Sequence, residues 1–279
     1  MKRSWRRFLA DIATYLILAV ATLFALFPIY WTVATSLKTR PDAFVNPPKF
    51  FSFDLTWENY TALFEDPTFV RVYINTIVVT LFSTLLAVGV GAMASYSLAR
   101  SRRFAGRRPL EVSLILLRAM PAVVLIVPLY DMAARFGLLG RLPTLVVIYS
   151  VFALPFAIWI MTPFFAAIPI ELEESARVDG ASSFTIFRRI VLPVAAPGMA
   201  ATAIFVALLE WNEFLVPVVL GSESTKTLPV FISGFISARN LDWGPMAAAS
   251  SLAIIPIVVV TVLVQRRLIG GLSSGALKE

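Results

Sequence analysis

The stretch IPIELEESARVDGASSFTIFRRIVLPVAAPG, residues 168–198, is neither apolar enough to cross a bilayer nor a plain basic flank. It reads as two short helices around a turn. Pro169 suits the first turn of a helix, and Glu171, Glu173 and Glu174 suit its positive N-terminal end. Glu173 and Arg177 stand at a favourable i,i+4 spacing. Gly180 is placed to end this helix. Ser182 or Ser183 caps a second one, whose Phe184, Phe187, Ile190 and Val191 recur at helical spacing until Pro193 stops or bends it. The product is a compact helix–turn–helix projection between two long apolar runs.

Outward from this loop the chain is dominated by such runs. Of its 279 residues 58% are apolar and 15% charged, and the mean hydropathy of +0.82 lies far above that of soluble domains. Six candidate spans follow, at 12–35, 73–99, 112–132, 142–165, 199–220 and 245–264, each near the about 20 residues that a bilayer requires. The first follows Lys2, Arg3, Arg6 and Arg7 as a secretory signal does, but it stays apolar through Trp31 without a clear small-x-small cleavage site. It reads as a retained signal-anchor. The expectation is an all-α membrane protein with a short N-terminus at 1–11, a six-helix domain at 12–265 and a C-terminal tail at 266–279.

Orientation follows from the basic residues of alternate loops. Fifteen fall on one side: Lys2, Arg3, Arg6 and Arg7; Arg100, Arg102, Arg103, Arg107 and Arg108; Arg177, Arg188 and Arg189; and Arg266, Arg267 and Lys278. Eight fall on the other: Lys38, Arg40, Lys49, Arg71, Arg135, Arg141, Lys226 and Arg239. The bias places both termini and the 168–198 loop in the cytoplasm. It also accounts for the net charge of +7 without nucleic acid. Residues 36–72 are then outside, with Pro41, Pro47 and Pro48 among the aromatics Phe50, Phe51, Phe53, Trp57 and Tyr60. Such a loop either docks an external protein or rests its rings in the headgroup belt.

Several chemistries are excluded. The chain has no cysteine and no histidine, which removes thiol catalysis, disulfides, thiolate metal sites and the commonest general base. No metal site and no catalytic residue is expected. The nearest approach to a phosphate-cradling loop, residues 221–227, has Lys226 where a glycine must precede the lysine, and it falls outside the cell. Any ATP must be hydrolysed by another chain.

An ionisable group within a span marks a functional site by default. Arg118, Glu210, Asn212 and Glu213 are candidates for a substrate pathway. Glu210 and Glu213 share roughly one helix face, and Asn212 carries donors and an acceptor for sugar hydroxyls. Pairing between helices, or a place at a subunit interface, is the alternative. Asp131 and Arg135 read as a surface i,i+4 pair at a span end. Pro121, Pro128, Pro155, Pro163, Pro217 and Pro256 lie in or near spans, where they can bend helices that line a gated path.

Glu174-Ser175-Ala176, three residues, Gly180, nine residues, then Ile190-Val191-Leu192-Pro193 resembles the EAA loop of permease subunits in type I ABC importers, with Ser175 in place of the first alanine. Trp211-Asn212-Glu213-Phe214, Thr227-Leu228-Pro229-Val230, Trp243-Gly244-Pro245-Met246-Ala247-Ala248 and Gly270 to Lys278 resemble the carbohydrate-uptake, MalG-like branch. The resemblance covers nearly the whole chain. It implies that Glu174, Ser175, Ala176, Arg177, Asp179, Gly180 and Ala181 form a coupling helix that docks on a cytoplasmic ATPase. It further implies that Ile190, Leu192 and Pro193 anchor the loop, and that Gly275, Ala276 and Lys278 make a second ATPase contact. An ordinary amphipathic surface helix has the same composition as the loop.

What the resemblance implies as a whole is a permease subunit of a binding-protein-dependent importer in the cell membrane. It would form half of a pathway for a sugar or oligosaccharide, beside a MalF-like sister permease. Two MalK-like ATPases would bind ATP and Mg, no cofactor would reside in this chain, and an external solute-binding protein would deliver cargo. A glycerol phosphodiester, a polyol or an amino acid is the alternative cargo, and a proton-coupled secondary transporter using Glu210 or Glu213 is the alternative mechanism.

Overall fold

The computed structural model describes residues 2–101, 106–236 and 242–276. The helices are α1 (Lys2–Ser36), α2 (Arg40–Phe44), α3 (Glu58–Glu65), α4 (Pro67–Arg100), α5 (Arg107–Ala119), α6 (Ala122–Arg135), α7 (Leu142–Ala166), α8 (Glu171–Val178), α9 (Ser183–Ile186), α10 (Leu192–Trp211), α11 (Leu215–Leu220), α12 (Leu228–Ser233) and α13 (Trp243–Ala276). Among the described residues five helices are long and apolar enough to span: Phe8–Ser36, Pro67–Arg100, Leu142–Ala166, Ser183–Trp211 and Trp243–Val262. Arg102, Arg103, Arg239 and Lys278, which enter the charge reading, lie outside the described residues.

Two spans differ from the expectation. The third, read as one run over 112–132, is a broken pair: Arg108–Ala119 and Ala122–Arg135 meet at 90°. Pro121 forces its predecessor out of the helical region, and Met120 is extended at φ −68°, ψ 131°. The fifth, read over 199–220, starts earlier and ends earlier. The chain is helical from Ser183 to Trp211, breaks over Asn212–Phe214, and resumes as α11. Pro193 neither stops nor kinks the chain into a separate helix. A π turn over Phe187–Val191 precedes it, with the Leu192 amide donating to the Phe187 carbonyl, and the wider turn carries the ladder past the proline ring.

The chain divides into two compact units, residues 1–69 with 232–256 and residues 70–231 with 257–279. In the first, the segment after α1 is tied down by short-range pairing. Lys38 forms an isolated antiparallel bridge with Leu55, and the Asn59 side-chain amide donates to the carbonyls of Ser36 (2.9 Å) and Lys38 (3.0 Å). Gly244 is required beside it, since a Cβ there would stand 2.4 Å from Asn59 Oδ1. Residues 36–72 are thus a folded segment that includes α2 and α3.

In the second unit, small residues let helices approach closely, as membrane packing requires. On α4, Ala87, Gly91 and Ser95 recur every four residues. A Cβ on Gly91 would come within 3.3 Å of Ala157 Cβ on α7, and the Ser95 hydroxyl donates to the Ile158 carbonyl at 3.1 Å. Gly198 on α10 meets Phe164 so closely that a Cβ would lie 2.4 Å from the ring. One apolar cluster, with Phe165, Met161, Ile186 and Val191 fully buried, runs from these crossings to the base of the 168–198 loop.

Candidate functional site

The loop begins where α7 ends and Ile168 turns inward into the apolar cluster. Acidic residues occupy the first turn of α8, as the helix dipole favours. The helix ends in a Schellman turn. The Gly180 amide donates to the Arg177 carbonyl and the Ala181 amide to the Ala176 carbonyl, both at 3.0 Å, and Gly180 sits at φ +82°. Ser182 then caps α9, its hydroxyl accepting from the Thr185 amide at 3.3 Å. These are the positions at which the sequence placed the turn and the cap.

Glu173 decides how the loop is held. Its side chain is 1% exposed, and the carboxylate does not pair with Arg177 as the i,i+4 spacing predicted. It crosses to α4 instead: Arg100 Nε donates to Oε1 at 2.6 Å and the Tyr96 hydroxyl to Oε2 at 2.7 Å. Arg100 also donates through Nη2 to the Ile168 carbonyl at 3.0 Å. One guanidinium therefore ties both the first turn of α8 and the exit from α7 to the end of α4. Arg100 had counted in the sequence only as an orientation charge, and Tyr96 had carried no signal.

With Glu173 inward, the opposite side of α8 faces out. Glu174, Ser175, Arg177, Asp179 and Gly180 are exposed, and so are Val178 (88%) and, on α9, Phe184 (69%). Ala176 is buried against the chain's own cluster and Ala181 packs on it, so both small residues set how tightly the loop seats. Ile190 and Leu192 pack on the same cluster, while Pro193 is exposed. Gly275 and Ala276 lie in the last turn of α13, and Lys278 is outside the described residues.

The intramembrane candidates do not converge. Glu210 is buried and turned to α4, where Ser83 and Thr84 hydroxyls donate to Oε2 at 2.6 and 2.9 Å. Ser150 on α7 joins them by donating to the Ser83 carbonyl at 3.2 Å. Glu213 caps α11 by accepting from the Val216 amide at 3.1 Å. Asn212 is exposed and donates to the Leu208 carbonyl of its own helix at 2.7 Å. Arg118 stands over the Phe156 ring, 4.1 Å from its centroid. Asp131 and Arg135 form the expected surface pair at 2.8 Å. Asn75, unmarked in the sequence reading, fastens residues 221–227 by donating to the Ser224 and Lys226 carbonyls at 2.9 and 3.0 Å.

Residues 87–273 match the family model described as binding-protein-dependent transport system inner membrane component. The chain is 36% identical over 258 residues to the trehalose transport system permease protein SugB of Mycobacterium tuberculosis, covering 91% of this chain and 93% of that protein. It is 36% identical over 253 residues to the diacetylchitobiose uptake system permease protein DasC of Streptomyces coelicolor, covering 90% and 91%. Among solved structures, a bacterial ABC transporter involved in the import of the acidic polysaccharide alginate matches with a TM-score of 0.79 over 92% of this chain and 96% of that one, at 23% identity. That last likeness is one of fold.

Proposed function

The chain belongs to the family of binding-protein-dependent transport system inner membrane components, and on that premise we propose that it forms half of the pathway of an ATP-driven importer for a sugar or short oligosaccharide. As a membrane permease subunit of an ABC importer it carries no ATPase site of its own. ATP and Mg would reside in two cytoplasmic ATPases, and a sister permease would complete the pathway. An external solute-binding protein would deliver the cargo. Both termini would lie in the cytoplasm, where the basic bias puts them.

The observation that carries this reading is the seating of α8. A loop that must transmit force needs a rigid attachment on one side and a free face on the other. Glu173 provides the first through Arg100 and Tyr96, and the exposed row of Glu174, Ser175, Arg177, Val178 and Asp179 provides the second. Movement of a partner against that row would be passed to α4 and α7 through charge-assisted bonds rather than absorbed by a slack loop. The pathway would then alternate between two states rather than open as a pore. Saccharide cargo is supported by the relatives named for trehalose transport and diacetylchitobiose uptake.

The test is affinity purification of the tagged chain from mild detergent, with ATPase activity measured with and without candidate sugars and binding protein. Recovery of an ATPase and a second permease, with turnover raised by a sugar-loaded binding protein, is the expected result. An ATPase-free protein that still transports after reconstitution would overturn the coupling role of the loop.

A further inference from the structure

The first unit holds a cavity of about 410 Å³ between the outer end of α1, the α2 segment and the first turns of α13, within the roughly 300–1,000 Å³ range of small-molecule sites. Two of its lining side chains are polar, nine-tenths or more buried and short of partners. Thr35 is 8% exposed and its hydroxyl has no hydrogen-bond partner. Lys38 is 2% exposed, and among the described residues no acceptor meets its ammonium, which stands 4.0 Å from the Trp31 ring centroid and 5.1 Å from that of Phe53. Burial lowers the Lys38 pKa against the raising pull of Asp42. A buried donor left unmade, as at Thr35, costs about 1–3 kcal/mol, and the Lys38 ammonium, held over two rings, has N–H donors to spare for an acceptor.

The same wall also presents acceptors. Thr32 and Ser250 spend their hydroxyl protons on the carbonyls of Pro28 (2.9 Å) and Met246 (2.8 Å), which leaves their oxygen lone pairs to face a ligand. Asp42 accepts from Lys49 at 2.6 Å and from the Asp54 amide at 3.0 Å, one bond per oxygen, and has capacity for more. A phosphate or carboxylate uses the donors and is repelled by the acceptors. Hydroxyl groups, which donate and accept, match both sets, and the opposite charges of Lys38 and Asp42 favour a neutral ligand. Trp243 lines the same cavity and brings to it an aromatic side chain of the kind on which sugar C–H groups pack.

We propose that this cavity is a saccharide subsite, holding one ring of a neutral sugar by hydroxyl exchange with Lys38, Thr35 and Asp42 and by contact with Trp243. It rests on the sugar-importer reading above and adds to it a place on this chain where cargo is held at the outer side. None of its lining residues is among the Glu210, Asn212 and Glu213 positions.

The experiment uses the assembled importer in lipid nanodiscs without its external binding protein, titrated with trehalose and with diacetylchitobiose and followed by ligand-observed NMR. Saturable binding of at least one is expected. Thr35→Val and Lys38→Met should each raise the half-saturating concentration about tenfold, the equivalent of one lost hydrogen bond to a charged or buried partner, and Thr35→Ser should restore it. No saturable binding of either sugar, or curves identical in all variants, overturns the subsite. So does a phospholipid retained by the purified complex and lost from Lys38→Met while sugar binding is unmoved, which would assign the cavity to a headgroup. Failure of the importer reading looks different: no ATPase co-purifies and no sugar is taken up, whereas failure of the subsite alone leaves assembly and uptake at wild-type levels.

Discussion

Removing the Arg100 side chain should unseat the 168–198 loop while leaving the spans in place. Arg100→Ala leaves Glu173, 1% exposed, with one neutral donor from Tyr96 in place of a 2.6 Å ion pair. Breaking a buried pair from one side costs about 3–5 kcal/mol, and the Ile168 carbonyl loses its donor as well. Because Arg100 is only partly shielded from solvent, the lower end is the better expectation, about 3 kcal/mol. That energy falls on the contact between α8 and α4, not on the whole fold, so it appears as local opening. Hydrogen exchange of the amides in 171–181, read by mass spectrometry on the purified protein, should accelerate by roughly two decades at 1.4 kcal/mol per decade. The companion variant Arg100→Met/Glu173→Gln removes both charges and keeps the volume. It should return exchange to within about tenfold of wild type, since replacing both partners is far cheaper than stranding one. Exchange in Arg100→Ala within threefold of wild type, or a double variant as loose as the single one, would refute the clamp.

Gly180→Ala should weaken the loop by about 1–2 kcal/mol, through backbone strain at φ +82° alone, because a Cβ there meets nothing within 4 Å; Gly180→Asn should be milder. Membrane insertion should persist while the ATPase no longer co-purifies, and normal assembly and uptake in a bulky Gly180 variant would remove the turn from the docking role. Gly198→Ala should lower the detergent melting temperature, since overpacking costs about 1–3 kcal/mol where a Cβ would stand 2.4 Å from Phe164. Phe164→Leu should recover part of the loss in the double variant. Asp42 is held below the ordinary carboxylate range by hydrogen bonds from Lys49 and the Asp54 amide. Its contribution is therefore full above its unfolded pKa of about 3.9 and fades as pH falls through the lower folded value. The melting difference between wild type and Asp42→Asn should be constant from pH 7 to about 5 and close progressively below about pH 4.

The broken third span and the intact helix through Pro193 show why proline alone is an ambiguous signal. At Met120–Pro121 nothing absorbs the missing bond, the two residues extend and the chain turns by 90°. Ahead of Pro193 a π turn supplies an extra residue, and the helix continues to Trp211. Both prolines impose the same local restriction, and the outcome depends on whether the neighbouring turn has room to widen among its packing partners.

Apolar length and cap chemistry were sufficient, from the residues alone, for the helical membrane class, the fourth span to within a residue, the core of the second, whose helix begins six residues earlier at Pro67, the Gly180 turn, and a cap at Ser182 or Ser183, of which the structure uses Ser182. Hydrophobic transfer and capping are free energies that a window of one or two turns contains, so they are present in the sequence wherever they act. The partners of the buried charges were not contained in any window. Glu173 stood four residues from Arg177, yet it bonds to Arg100, 73 positions away; Glu210 read as a candidate pathway residue, yet it bonds to Ser83 and Thr84, 127 and 126 positions away. An exposed i,i+4 pair is worth a few tenths of a kcal/mol, whereas a carboxylate taken out of water must find strong donors at its own depth. Which helix presents those donors is set only when the helices pack, and so the seating of the loop and the cavity beside Lys38 belong to the tertiary structure.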